Sequence, residues 1–201
     1  MFAPNPASVV IAGDICNGVP EEQERDWLRA LSDARAWSKG ILMVLGNHDH
    51  YGADLMEAPS LWKAALKGTR IQVLDRAVAT VDGVRFAGCM LWTDFDRGSP
   101  LLMLDAHALN DYRHIKEGGK LARSDDVLDA HDRDLNWLLD QPNSSADSPL
   151  GVITHHAPSW ESTHPGKRND PITGAIQPLG ASLRSSSAYR LRAQAGMRSL
   201  T

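Results

Sequence analysis

The sequence predicts an α/β protein, because patterns of buried strands alternate with helical patterns along the chain. Short apolar runs, each typical of a buried strand, lie at 8–12, 41–45 and 150–154. An Asp82-Gly83 pair between two further apolar runs is a strong hairpin signal, which makes part of the sheet antiparallel. The 201 residues are expected to form one domain, because this length is usual for a single globular unit.

The first two strands each end in polar side chains. The first ends at Gly13-Asp14, and the second ends in the polar cluster 46–50. Between them, Pro20 provides a helix start, apolar residues recur at helical spacing, and Gly40 ends the segment. The helix is therefore a crossover, and two strand tips carry groups capable of chemistry.

The later elements follow from the same kinds of pattern. We predict a short helix at 61–67, strands at 71–74, 77–81 and 84–91, a helix at 124–141 capped by Ser124, and a strand at 150–154. Residues 94–123 have no clean period and are interpreted as a long excursion bordering a substrate site, with Gly118-Gly119 as a flexible break.

Composition excludes several classes of protein. The formal net charge of −4 provides no basic field for a nucleic-acid backbone, so general nucleic-acid binding is not expected and an anionic substrate requires local cations. Two cysteines are too few for a disulfide framework. No signal peptide or membrane-length apolar segment is recognisable, so we expect a cytoplasmic protein without a membrane partner.

Three strand tips supply a set of metal-ligand types. Asp14, Asn47 and His155 each follow an apolar strand, and sites in open α/β sheets assemble where the carboxyl ends of strands meet. Their donors are a carboxylate, an amide oxygen and an imidazole. This mixed oxygen and nitrogen set suits manganese, iron or zinc better than a soft thiolate site does.

Each of these residues alone has an ordinary structural explanation. Asp14 is compatible with a loop cap, Asn47 with a left-handed turn, and His155 with an imidazole bonded to backbone carbonyls. Only the ordered set favours a site. The weaker site candidates are His50, His156 and His164, and the side chains assigned to packing or solvent are Cys16, His107, His114 and His131.

The segments Gly13-Asp14, 46–49 and 154–158 resemble, in this order, three motifs of the calcineurin-like metallophosphoesterase family. The middle motif, Gly-Asn-His-Asp, is the most specific of them, and the resemblance extends over about 8–160. It implies two mixed β-sheets packed face to face and flanked by helices. It also implies hydrolysis of a phosphomonoester or phosphodiester by a metal-activated hydroxide.

The resemblance also implies roles for individual residues. Asp14 would bridge two divalent ions (manganese, iron or zinc), Asn47 would coordinate one of them through its amide oxygen, and His155 would add an imidazole. His48 would face the substrate phosphate and protonate the leaving oxygen or stabilise its charge. Asp49 would fix the His48 ring by hydrogen bonding.

Two further segments also resemble the family, whereas both ends of the chain depart from the family's usual motifs. The segments 91–95 and 110–113 look like those of a bacterial branch. The family's opening Asp-x-His and closing Gly-His-x-His motifs have no counterpart, and residues 171–201 form an atypical tail with four arginines and no acidic residue. The resemblance therefore predicts a chain truncated at both ends, with terminal strands missing, marginal stability and one of its two metal sites incomplete.

Two other functions remain open. A catalytically impaired family member would bind a phosphate ligand or a single metal ion without turnover. A serine hydrolase with His155 or His156 as its base is disfavoured, because no Gly-x-Ser-x-Gly elbow is present.

Overall fold

The computed structural model describes residues 8–34, 39–141, 150–159, 162 and 166, and within them the predicted α/β class is confirmed. In chain order the elements are β1 Val9–Ile11, α1 Glu22–Asp33, β2 Ile41–Met43, α2 Ala58–Ala65, β3 Ile71–Val73, β4 Ala77–Val81, β5 Val84–Gly88, α3 Phe95–Gly98, α4 Pro100–Ala106, α5 Asp111–His114, β6 Lys116–Glu117, β7 Lys120–Leu121, α6 Ser124–Asp140 and β8 Leu150–Ile153. The predicted tail at 171–201 and His164 lie outside the described residues.

The first sheet is parallel and has the order β1-β2-β3. All three residues of β2 are fully buried, because β2 is the central strand and the buried Leu28 of α1 and Trp62 of α2 belong to the same apolar cluster as Ile41 and Met43. Because β1 and β2 are parallel neighbours, their carboxyl ends lie at one edge of the sheet. This topology brings the segments after both strands together.

The second sheet has the order β4-β5-β8. The hairpin predicted at Asp82-Gly83 joins β4 to β5, and both turn residues have positive φ, as a two-residue hairpin turn requires. Strand β8 pairs with β5 in the parallel direction. One apolar cluster contains Leu42 and Val44 of the first sheet region together with Ile153 of β8. The face-to-face packing of the two sheets stays a prediction.

The region 94–123 is not one irregular excursion. It contains α3, α4, α5 and the β6-β7 hairpin, and Gly118-Gly119 is the turn of that hairpin rather than a flexible break. These elements are two to seven residues long, so no window is long enough to show a helical or strand period. They still bury Phe95, Tyr112 and Ile115 in a common core.

The predicted cap of α6 is also wrong. Arg123 is the residue that precedes the helix, and its backbone N–H donates to the Asp126 carboxylate at 2.8 Å. Ser124 already lies in the first turn, where it is buried with its hydroxyl 3.4 Å from His107 Nε2. The Asp126 carboxylate, three residues after the cap position, thus satisfies the backbone N–H of the cap residue, as the third helical residue of a capping box does.

A buried carboxylate ties α6 to the end of the second sheet. Asp134 is 2% exposed, accepts a hydrogen bond from Leu91 N at 2.8 Å and pairs with Arg76 Nη1 at 2.7 Å. Leu91 is fully buried and has a φ of 55°, a left-handed conformation that a leucine rarely adopts. The Asp134 contact therefore stabilises a strained turn.

We expect Asp134→Ala to lower the free energy of unfolding by about 2–4 kcal/mol, because it leaves the buried Leu91 N–H without its acceptor and leaves Arg76 with Asp75 as its remaining carboxylate partner. Urea denaturation measures the change. The matched control is Asp132→Ala on the exposed face of the same helix, which should change stability by no more than about 0.5 kcal/mol. Equal effects of the two substitutions would contradict the assigned role of Asp134.

Candidate active site

The three predicted strand tips come together at one place. Asp14 follows β1, Asn47 follows β2, and His155 follows β8 of the other sheet. The backbone N–H groups of His155 and His156 both donate to the Met90 carbonyl, at 3.2 and 3.1 Å, which fixes the chain after β8. The His155 side chain then reaches across to the first sheet, where its Nδ1 lies 2.5 Å from the Ala12 carbonyl oxygen.

The ring orientation of His155 is decided by that carbonyl. A carbonyl oxygen only accepts hydrogen bonds, so Nδ1 carries the proton and Nε2 of the neutral ring has a free lone pair. Nε2 lies 3.1 Å from Asn47 Oδ1 and 3.5 Å from Asp14 Oδ1. Three lone-pair donors therefore converge on one point. The Asp14 side chain is 40% exposed, so this point is open to solvent.

These distances fit a shared metal ion. Two ligands at about 2.1 Å from one ion, with an angle between tetrahedral and right-angled, are roughly 3.0–3.4 Å apart. A ring that donates Nδ1–H to a backbone carbonyl is also the usual arrangement of a metal-binding histidine. Within the described ranges no group of three or more His, Cys, Asp and Glu side chains is placed to hold an ion. The described set at this point consists of one carboxylate, one imidazole and one amide.

Two glycines make this approach possible. A Cβ on Gly13 would lie 2.8 Å from His155 Nδ1 and closer still to the Gly46 backbone. A Cβ on Gly46 would lie 2.8 Å from His155 Cε1 and would overlap Asp14 Oδ1. The segments after β1, β2 and β8 can therefore meet only because neither residue has a side chain.

Asp49 is the anchor of the two loops that carry Asp14 and Asn47. It is fully buried, and its carboxylate accepts four backbone N–H groups. The donors and distances are Asp14 at 2.9 Å, Ile15 at 3.0 Å, Cys16 at 3.0 Å and Gly46 at 2.8 Å. The predicted hydrogen bond from the His48 ring to the Asp49 carboxylate is therefore wrong, because backbone N–H donors occupy both carboxylate oxygens.

The His48 ring is positioned by a different residue. Its Nδ1 lies 2.8 Å from Asn17 Oδ1, and its ring stacks on Tyr51 with centroids 4.7 Å apart. Asn17 Oδ1 is an acceptor, so Nδ1 is the protonated nitrogen and Nε2 is left for an external partner. The backbone N–H of His48 also donates to Asp14 Oδ1 at 3.2 Å. The backbone at His48 therefore also helps to orient Asp14, a candidate metal ligand.

An open cleft of about 490 Å³ lies beside His48. Its lining residues in the described part of the chain bear rings and amides rather than fixed charges, and they are Asn17, His48, Tyr51, Gly52, Asn110 and His114. Tyr51 is sandwiched, because its ring also stacks on His114 with centroids 4.9 Å apart. His114, assigned from the sequence to solvent or packing, is therefore a wall of the cleft.

Comparison with known proteins identifies the family of the chain. The model of the calcineurin-like phosphoesterase family matches residues 2–179 of the chain. The chain belongs to this family. No curated protein and no solved structure matches it significantly. Membership gives the reaction class, which is metal-dependent hydrolysis of phosphoester bonds.

In this calcineurin-like phosphoesterase the weaker candidates His50 and His156 lie behind the site. Both are buried, and Trp92 lies edge-on between them, with ring centroids 5.2 and 5.7 Å away. Burial lowers the pKa of His50 and lowers that of His156 further below its usual value, so both rings are neutral. His50 Nδ1 bonds to the Gly46 carbonyl at 2.9 Å, which supports the turn that carries Asn47.

Four residues of the phosphoesterase site region were not identified from the sequence: Asn17, Tyr51, Asp111 and His114. Asp111 lies in the 110–113 segment, which the family resemblance did pick out. Its Oδ1 accepts hydrogen bonds from Asn47 Nδ2 at 2.9 Å and from the Tyr51 hydroxyl at 2.8 Å. Burial and then this hydrogen bond raise the pKa of Tyr51, so the phenol keeps its proton.

One further observation bears on the phosphoesterase's surroundings. In the part of the chain that the structure describes, no helix combines the length and the apolar character that crossing a membrane requires.

Proposed function

We propose that this chain hydrolyses a phosphomonoester or phosphodiester with the help of a divalent ion held by Asp14, Asn47 and His155. The observation that carries this proposal is that two oxygen donors lie close to His155 Nε2. Asn47 Oδ1 is 3.1 Å away and Asp14 Oδ1 is 3.5 Å away. The Ala12 carbonyl fixes the ring tautomer that such a ligand needs. Family membership supplies the reaction class.

The donor types favour manganese, iron or zinc. When bound, such an ion supplies positive charge for the phosphoryl oxygens and makes a water nucleophilic near neutral pH. The family resemblance leads us to expect two ions, and the described donors account for the ligands of one. The chain's own net charge of −4 makes this local positive charge necessary for an anionic substrate.

His48 is proposed as the general acid that protonates the leaving oxygen. Attack at phosphorus breaks the bond to the leaving oxygen. The imidazolium form of His48 passes its Nε2 proton to that oxygen, keeps its Nδ1 proton on Asn17 and becomes neutral. Asn17 holds the opposite nitrogen at 2.8 Å, and the Tyr51 ring supports the imidazole face. Asp49 contributes indirectly, by holding the loops of Asp14 and Asn47 in place.

The cleft next to His48 is proposed to receive the remainder of the substrate. Its described lining offers ring faces and amide groups, so an uncharged group that can contact rings and form hydrogen bonds fits it better than a second anion does. Monoesters and diesters both satisfy this description.

A second candidate is a family member that binds one ion or a phosphate ligand without turnover. The observation in its favour is that the described donors at the site are Asp14, Asn47 and His155, whereas a paired site needs more ligands. Both candidates predict metal binding, and only the first predicts hydrolysis.

The test is a calorimetric titration of the metal-free chain with Mn²⁺, followed by assays with an aryl phosphomonoester and an aryl phosphodiester. We expect at least one Mn²⁺ per chain, hydrolysis of one ester, and Mn²⁺ binding at least about tenfold weaker in His155→Ala, because a ligand is removed.

The matched control is His107→Ala, an exposed histidine next to Ser124, which should bind Mn²⁺ like the original chain. Binding without turnover of either ester would favour the non-catalytic candidate. Equal Mn²⁺ affinity in His155→Ala and His107→Ala would rule out the proposed ligand set.

A further inference from the structure

The amide of Asn47 has two chemically different ends, and only one of them can bind a metal ion. Its Oδ1 has lone pairs, whereas its Nδ2 carries two hydrogens and cannot act as a ligand. Oδ1 lies 3.1 Å from His155 Nε2, and Nδ2 lies 2.9 Å from Asp111 Oδ1. An ionised carboxylate only accepts hydrogen bonds, so Asp111 requires the nitrogen on its side. The oxygen must then face His155.

The same carboxylate oxygen makes a second contact. The Tyr51 hydroxyl donates to Asp111 Oδ1 at 2.8 Å. The Tyr51 ring lies between His48 and His114, with interplanar angles of 21° and 28°. One oxygen atom of Asp111 therefore holds both the amide that faces the candidate metal point and the ring stack that supports His48.

Asp111 is not needed to hold its own helix in place. The Ile115 backbone N–H donates to the Asp111 carbonyl at 2.8 Å, and Gly52 N–H donates to the His114 carbonyl at 2.7 Å. Tyr112 and Ile115 are buried at 7% and 1% exposure. Backbone bonds and apolar burial thus fix α5, and the Asp111 carboxylate serves Asn47 and Tyr51.

We propose that Asp111 is a positioning residue, which sets the orientation of the Asn47 amide and couples it to the ring stack beside His48. The inference deepens the proposed function and rests on it for its catalytic consequence. Without Asp111 the amide can rotate by half a turn and present Nδ2 to the metal point. The stack loses its tether at the same time.

Mn²⁺ affinity and turnover of the full chain test the consequence. Asp111→Ala should weaken Mn²⁺ binding about 10–100-fold, the usual effect of losing a residue that orients a metal ligand. Asp111→Asn retains an acceptor oxygen and should fall between Asp111→Ala and the original chain. Tyr51→Phe keeps the Asn47 contact, so its Mn²⁺ affinity should stay within about twofold while turnover falls.

Asp105→Ala, an exposed aspartate on the preceding helix, is the matched control and should leave affinity and turnover unchanged. The thermal unfolding temperature of each variant separates this role from a structural one, since α5 is held by other contacts. Unchanged Mn²⁺ affinity in a folded Asp111→Ala variant would overturn the proposal.

A readout in the metal-free chain separates this proposal from the proposed function. The side-chain amide signals of Asn47 in a ¹⁵N-¹H spectrum, identified by their loss in Asn47→Ala, should move toward free-amide positions in Asp111→Ala and not in Asp105→Ala. Unmoved signals would refute the Asp111 contact even if the chain hydrolyses esters. Moved signals in a chain that neither binds Mn²⁺ nor hydrolyses esters would sustain the contact and refute the proposed function.

Discussion

Replacing Asp49 with asparagine is expected to destabilise the fold more than any other substitution considered, by about 3–5 kcal/mol. The change is isosteric, so it leaves no cavity. It replaces one acceptor oxygen by an NH₂ group, which faces backbone N–H donors that now lack a partner. The four donors come from both loops, so the Asp49 carboxylate links the loop after β1 to the loop after β2. Urea denaturation followed by circular dichroism measures the loss.

The control for this experiment is Asp33→Asn, an exposed aspartate at the end of α1, which should shift stability by no more than about 0.5 kcal/mol. We also expect Asp49→Asn to weaken Mn²⁺ binding under conditions where it is still folded, because the loops of Asp14 and Asn47 lose their common anchor. A stability change below about 1 kcal/mol would contradict the anchoring role.

The elements that could be predicted from the sequence are those with local signals. Strands β1, β2 and β8 are apolar runs, although only β2 is buried along its whole length and Val10 of β1 is exposed. The Asp82-Gly83 turn has a conformation that few other residue pairs adopt. The proximity of Asp14 and Asn47 also follows, because β1 and β2 are parallel neighbours that end at the same edge. The approach of His155 does not follow, because β8 belongs to the other sheet. The family was recognised from the same three strand ends, and it is confirmed.

The parts that could not be predicted depend on contacts between residues far apart in the chain. Asp111 is 64 residues from Asn47 and 60 residues from Tyr51. No local pattern indicates that the Asn47 and Tyr51 side chains donate to the same oxygen of Asp111. The predicted partner of the His48 ring, Asp49, was wrong for a similar reason. Asp49 follows His48 directly in the chain, but its carboxylate faces the interior. The ring instead bonds to Asn17, which is 31 residues away.

His48→Ala is expected to lower kcat by about 10²–10⁴, the usual contribution of a general acid. The Mn²⁺ affinity should be retained, because His48 contributes its backbone N–H rather than its ring to the Asp14 contact. Steady-state assays of the full chain, with Mn²⁺ affinity measured in parallel, give both quantities. His107→Ala, which lies outside the cleft lining, is the control and should keep full turnover.

The dependence on the leaving group distinguishes proton donation from simple charge stabilisation. The leaving group of an alkyl phosphate is a strongly basic alkoxide, which needs a proton in the transition state. The leaving group of a nitrophenyl phosphate is nitrophenolate, which leaves readily without one. If His48 Nε2 donates that proton, His48→Ala should lose much more activity on the alkyl ester than on the nitrophenyl ester. Equal losses would assign His48 to charge stabilisation alone, and no loss on either ester would remove it from the reaction. Proton donation is the expected outcome because the Asn17 oxygen, 2.8 Å from Nδ1, accepts the Nδ1 proton in the imidazolium form, in which the second proton is on Nε2 and available to the leaving oxygen.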